Sequence, residues 1–141
     1  MAVVAAHPGD KRRTATCRCG QLRAVCLGEP VRVSICHCRA CQLRSGSAFA
    51  VQARWPDARV SLSGPYRAWS RTGDSGKRAT YHFCPNCGST VVYFNEAMPD
   101  LTAVAVGAFL VSDLPLPTHS GFERRKHSWV EIVGDDIDHA P

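Results

Sequence analysis

The sequence predicts a mainly β, antiparallel domain, and three observations carry that expectation. Short apolar or alternating segments recur along the chain. Turn-forming residues separate them, and no sustained helical period, heptad or repeat interrupts the series. The 141 residues suit one domain with a core of its own. Hydrophobic residues make up 45% and charged residues 21%, a globular balance, so a bound metal would not be the sole source of stability.

Taken in order, the opening MAVVAAHPGDKRR has no basic segment ahead of its apolar residues and is too short and broken for a secretory signal. Residues 1–13 are therefore expected to be a flexible tail. Strands are expected over 21–27, 31–35, 48–53, 60–63, 66–72, 79–83, 90–94, 101–107 and 129–133. The run Arg59-Val60-Ser61-Leu62-Ser63 shows the alternation of a half-buried strand. Gly28-Glu29-Pro30, Ser63-Gly64-Pro65 and Gly73-Asp74-Ser75-Gly76 are turn signals between neighbours. One short helical turn is expected at 38–44. The domain is expected to span 14–134, leaving 135–141 as a C-terminal tail.

Composition narrows the function classes. No apolar run approaches the ~20 residues that cross a bilayer, so a membrane partner is not expected. The formal charge is +5. If seven cysteines hold two Zn²⁺ as thiolates, it falls to roughly +2. The basic residues are also scattered, without a Lys/Arg block or basic helix, which argues against nucleic acid as a partner. A small anionic ligand remains compatible with local arginines.

Eight cysteines are many for such a chain, and without an export signal they point to metal or redox use and a cytoplasmic setting. Their spacing points to metal. Cys84-Pro85-Asn86-Cys87-Gly88 has the form of a zinc knuckle, two thiols on one loop followed by a turn glycine. Cys17-Arg18-Cys19-Gly20 is a tighter version. Together the two pairs make a complete Cys₄ set, closed to substrate and therefore structural. Cys36-His37-Cys38-Arg39-Ala40-Cys41 places three further thiols within one turn. Three protein ligands with one open position is the arrangement of catalytic zinc. The alternative is a fourth protein ligand, for which His37 and His82 are candidates, although His37 lies between two ligands and is expected to point away. Which pairs meet is not fixed by spacing alone. Cys26, within Arg23-Ala24-Val25-Cys26-Leu27, reads as a small buried hydrophobe.

The order CxCG, CHCxxC, SGSAFA and FCPNCGS resembles the glutathione-dependent formaldehyde-activating enzyme (GFA) family, also called centromere protein V-like. The likeness runs from about Thr16 to Trp129. It takes in Val106-Gly107-Ala108-Phe109-Leu110, Pro117, His119 and Lys126-His127-Ser128-Trp129. The resemblance implies a zinc-binding β-tent with two zinc ions. Cys17, Cys19, Cys84 and Cys87 would hold the structural ion, and Cys36, Cys38 and Cys41 the functional one. It also implies a carbon–sulfur lyase activity run in reverse, the addition of glutathione to formaldehyde to give S-hydroxymethylglutathione.

On that reading a thiol such as glutathione and an aldehyde are the partners, and Cys36, Cys38 and Cys41 are the catalytic metal ligands. A zinc-organised module that binds a small molecule or protein without turnover is the alternative. Arg39, Arg44 and Arg78 are candidates for a substrate carboxylate. Ser45, Gly46 and Ser47 offer backbone N–H groups or an ordinary turn. His82 either lines the site or is a strand histidine with a local partner, and His119 matches a family position without an evident role. Trp69, Phe109 and Trp129 read as core or edge packing.

Overall fold

The computed structural model describes residues 7–111 and 113–141. Among the described residues, eleven short strands form two sheets with the apolar core between them, beside one α-helix. The first sheet pairs β1 (Arg12–Thr16), β2 (Arg23–Leu27) and β5 (Val60–Ser63), all antiparallel. The second sheet contains β3 (Arg32–Cys36), β4 (Ala50–Pro56), β6 (Arg67–Thr72), β7 (Arg78–Phe83) and β8 (Thr90–Asn95). It is completed by β9 (Leu101–Ala105), β10 (His119–Gly121) and β11 (Asp138–His139). Its order is β11-β10-β3-β4-β9-β8-β7-β6. Helix α1 (Arg39–Ser45) follows β3 directly.

The two faces of the large sheet differ. One face sends Val33, Ala53, Trp55, Val92 and Val104 into a core shared with Ala15, Ala24, Cys26 and Val60 of the small sheet. The pairing register fixes what lies on the other face. Arg32, Arg54, Ala103, Tyr93, Tyr81 and Trp69 stand in one row across six strands, because side chains opposite one another share a face. Ser34 and Cys36, two and four positions beyond Arg32, belong to that same polar and aromatic face. Cys26 is fully buried in the core, and burial pushes its thiol up to about 12.

The mainly β class is the one expected, with two departures from the antiparallel scheme. Strand β10 runs parallel to both β3 and β11, so the large sheet is mixed. The expected strand at 129–133 is not formed. Both edges of β10 are already paired, and Trp129 and Val133 are exposed. β11 supplies one of those edges from within the expected C-terminal tail. At the other end β1 begins at Arg12, inside the expected N-terminal tail of 1–13, whose residues 1–6 lie outside the described ones. Arg13 enters the structure because its charge is paired. It donates to Glu29 and Asp113 at 3.1 Å and to the Gly28 carbonyl at 3.0 Å. No helix among the described residues is long and apolar enough to cross a membrane.

Candidate metal centres

The first cluster sits where the two sheets are tied together. Cys17 follows β1, Cys84 follows β7, and the four sulphurs of Cys17, Cys19, Cys84 and Cys87 all lie within 4.8 Å of one another. Two knuckle turns position them. Gly20 N–H donates to the Cys17 carbonyl at 3.1 Å and Gly88 N–H to the Cys84 carbonyl at 2.9 Å. Both glycines hold a positive φ, 87° and 79°, that a side chain would oppose. The sulphur separations Cys17–Cys19 and Cys19–Cys84 are 3.6 Å. That is far beyond the ~2.05 Å of a disulfide. It agrees with the ~3.8 Å edge of a tetrahedron of thiolates at zinc–sulphur distance. The Leu22 N–H points at Cys17 Sγ from 3.2 Å and the Ser89 hydroxyl lies 3.4 Å from Cys87 Sγ. With the Ser89 hydroxyl as the main cause, Cys87 is held well below the usual thiol range.

The second cluster is built by the β3–α1 junction. Cys36 ends β3, Cys38 caps the helix and Cys41 lies in its first turn, with the Cys41 N–H 3.3 Å from Cys38 Sγ. Residues three apart on a helix start share a face, so the three sulphurs meet within 4.8 Å. Hydrogen bonds from the Cys36 and Cys41 thiols, with further ones from backbone N–H groups, hold Cys38 far below the usual range. The Cys38 contact raises Cys36, and the contacts of Cys36 and then Cys38 raise Cys41, burial adding to both. Three packed thiols thus do not ionise together unaided, whereas a bound dication would stabilise all three thiolates. Sulphur-only donor sets at these separations fit zinc in both clusters.

Among the described residues no fourth His, Cys, Asp or Glu joins the three-cysteine group. His37 is fully buried and turned to Ser120, its Nε2 2.9 Å from that hydroxyl. His82 has the opposite strand parity to Tyr81 and stacks on Tyr66 at 4.1 Å. His119 is engaged by Asp138 at 3.0 Å. The Gly46 and Ser47 N–H groups are used locally, on the Gln42 carbonyl and the Ser45 hydroxyl, so this segment is a helix cap. Arg78 lies exposed at the far end of β7 from Cys84, while Arg44 lies against the polar face. Trp69 is exposed on edge strand β6 and Phe109 packs on Trp55 at 5.7 Å. Trp129 is 74% exposed and is not a core residue. With Arg39, Leu43 and His127 it lines a groove of about 450 Å³ along α1.

Several residues near the cluster escaped sequence reading. Gln42 is buried and donates to the carbonyls of His37 (2.8 Å) and Arg125 (3.1 Å), while its oxygen accepts from His127 Nε2 at 2.9 Å. It thereby docks α1 onto the 125–127 segment. Ser34, Gln52, Arg54 and Tyr93 form a buried network on the polar face. Their signal was the polar pair Gln52 and Arg54 at alternate positions of one strand.

These features define a mainly β domain built around two cysteine clusters able to hold metal ions. The family model for "Glutathione-dependent formaldehyde-activating enzyme" matches residues 12–131, and the chain belongs to that family. Among solved structures, the chain is similar to the crystal structure of a Rhodobacter sphaeroides protein determined as a structural-genomics target. The identity is 18%, over 72% of this chain and 90% of that one, with a TM-score of 0.55. That likeness concerns the fold alone. No curated protein matches the chain.

Proposed function

We propose that the chain is a zinc-dependent, carbon–sulfur lyase-type enzyme of the cytoplasm, acting on a thiol–aldehyde adduct. Its best-supported reaction is the formation of S-hydroxymethylglutathione from glutathione and formaldehyde. The observation that carries the reading is the three-cysteine cluster without a fourth protein ligand among the described residues, in a chain of this family. Cys17, Cys19, Cys84 and Cys87 would hold a structural zinc, and Cys36, Cys38 and Cys41 a functional one.

Zinc at the second site would supply the positive charge that keeps an incoming thiol ionised near neutral pH. The chain's own part is positioning. Cys36, Cys38 and Cys41 would hold the ion from one turn, and Gln42 ties that turn to the 125–127 segment. In the reaction the thiol sulphur forms a bond to the formaldehyde carbon. The C=O π pair becomes the hydroxyl oxygen's and takes up the proton that the thiol gave, so no oxidant or reductant is required.

The test is turnover of glutathione and formaldehyde by zinc-loaded protein, above the uncatalysed background, with Cys38→Ser as comparison. Turnover lost in a folded Cys38→Ser variant supports the reading. Glutathione binding without turnover in the wild type would leave a zinc-organised binding module instead.

A further inference from the structure

The fold treats its two buried arginines differently. Arg13, 5% exposed, is paired with Glu29 and Asp113. Arg54, 7% exposed, has a single side-chain partner among the described residues, the uncharged Ser34 hydroxyl at 2.9 Å. Among the described residues neither Arg54 nor Arg44 has an Asp or Glu within salt-bridge distance. Arg44 lies over the rings of Tyr93 and Tyr81, 4.8 and 5.5 Å from their centroids, and its Nε is buried without a hydrogen-bond partner. A buried guanidinium with no counter-charge is strongly unfavourable, and a buried donor left unpaired adds to that cost.

We infer that Arg54 and Arg44 form a carboxylate-binding subsite beside the three-cysteine cluster, taking the anionic end of a small thiol-bearing acid. The inference rests on the thiol–aldehyde reading above and names the groups that would select its thiol. Placement supports it. Ser34, which anchors Arg54, precedes Cys36 by two residues on the same face of β3, about 7 Å along the strand. A peptide carboxylate one or two residues from its thiol spans a similar ~7 Å.

Orientation supports it too. Ser34 also accepts from Gln52 Nε2 at 2.9 Å, and Gln52 Oε1 accepts from the Tyr93 hydroxyl at 2.7 Å. This network fixes the guanidinium before any ligand arrives. Along the row from Arg54, exposure rises from buried Tyr93 through half-buried Tyr81 to exposed Trp69.

Charge separates this from the plainer use of an arginine, balancing the metal site. Three thiolates around a dication leave one net negative charge, and Arg44, Arg54 and Arg32, which stands opposite Arg54, outnumber it. The surplus positive charge suits a carboxylate, which the planar guanidinium fork can bind through two parallel hydrogen bonds.

The experiment is calorimetric titration of zinc-loaded wild type, Arg44→Gln and Arg54→Gln with glutathione, S-methylglutathione and glutathione diethyl ester. Zinc content and far-ultraviolet circular dichroism are recorded for each protein. Each substitution is expected to weaken both free acids by about 10–100-fold with zinc unchanged. The diester is expected to bind wild type as weakly as the acids bind the variants.

Equal affinity of acid and diester, or unchanged affinity in the variants, overturns the subsite. So does weakening that merely follows lost zinc, since Arg54 would then only balance charge. If Arg54→Gln does not fold, half-buried Arg44 carries the same comparison. Arginine-dependent binding of S-methylglutathione without any turnover keeps the subsite and overturns the enzyme. Turnover indifferent to both arginines does the reverse.

Discussion

Cys19 Sγ and Cys84 Sγ lie 3.6 Å apart although 65 residues separate them, and their contact fastens the small sheet to the large one. The site exists only once that long loop is closed, so a metal bound there adds its binding free energy to folding. Cys84 is fully buried, and its replacement would leave a polar group at the rim of the core.

Cys84→Ser is therefore expected to lose one zinc per chain and more than about 4 kcal/mol of stability, a loss typical of a broken metal site. Zinc analysis with a thermal melt checks it. An unchanged melting temperature in a variant short of one zinc would show that the sheets do not depend on this cluster.

Cys38→Ser should behave differently. Its cluster hangs on one turn after β3 and joins no distant elements. Zinc is expected to fall from two equivalents to one with stability within about 1 kcal/mol of wild type. Turnover of glutathione and formaldehyde should disappear. Zinc content, a denaturation curve and the activity assay decide it together, and full activity with one zinc would remove the second cluster from the chemistry.

The difference between the two clusters was legible in the sequence because cysteine spacing encodes it locally. Each knuckle carries its own turn glycine, Gly20 or Gly88, and three thiols in six residues cannot avoid one another. Most strands were legible for the same local reason, with 60–63 matching β5 in full. The two knuckles read together as one Cys₄ set, but spacing did not fix which pairs meet, and the contact of Cys19 with Cys84 is settled only by the fold. What stayed hidden depends on partners distant in sequence. Arg12 and Arg13 look like tail until Glu29 and Asp113 take up the charge of Arg13. Residues 138–139 look like tail until β10 offers an edge. Arg54 lies one position past the strand expected over 48–53, and nothing nearby in sequence shows that both faces of β4 are covered.

The C-terminal strand should be pH-sensitive. Glu123 accepts from His139 Nδ1 at 2.7 Å, the main cause holding its carboxyl below the usual range, with Ser120 contributing second. A carboxyl depressed on folding stabilises the native state above its unfolded value, near 4.5, and that contribution is lost as the pH falls through the lower folded value. Wild type should thus melt above Glu123→Gln near neutral pH, and the gap should close at acid pH. A gap that stays constant from about pH 7 to 3 would mean that the charge of Glu123 contributes nothing.

Gln42 tests whether α1 must be held for the second cluster to work. Its amide nitrogen serves two carbonyls and its oxygen one histidine, so Gln42→Ala strips three hydrogen bonds from a buried position. At about 1 kcal/mol each, the loss is about 3 kcal/mol by urea denaturation. Gln42→Glu keeps the shape and the oxygen but loses both amide donors, and its charge would face the carbonyls of His37 and Arg125. It is expected to be no more stable than the alanine variant. If α1 orients Cys38 and Cys41, both variants should also release the second zinc to a chelator faster than wild type, while the Cys₄ zinc leaves at its normal rate. Equal release of both ions at wild-type rates would show that the helix keeps its place without Gln42, and that the three cysteines position themselves.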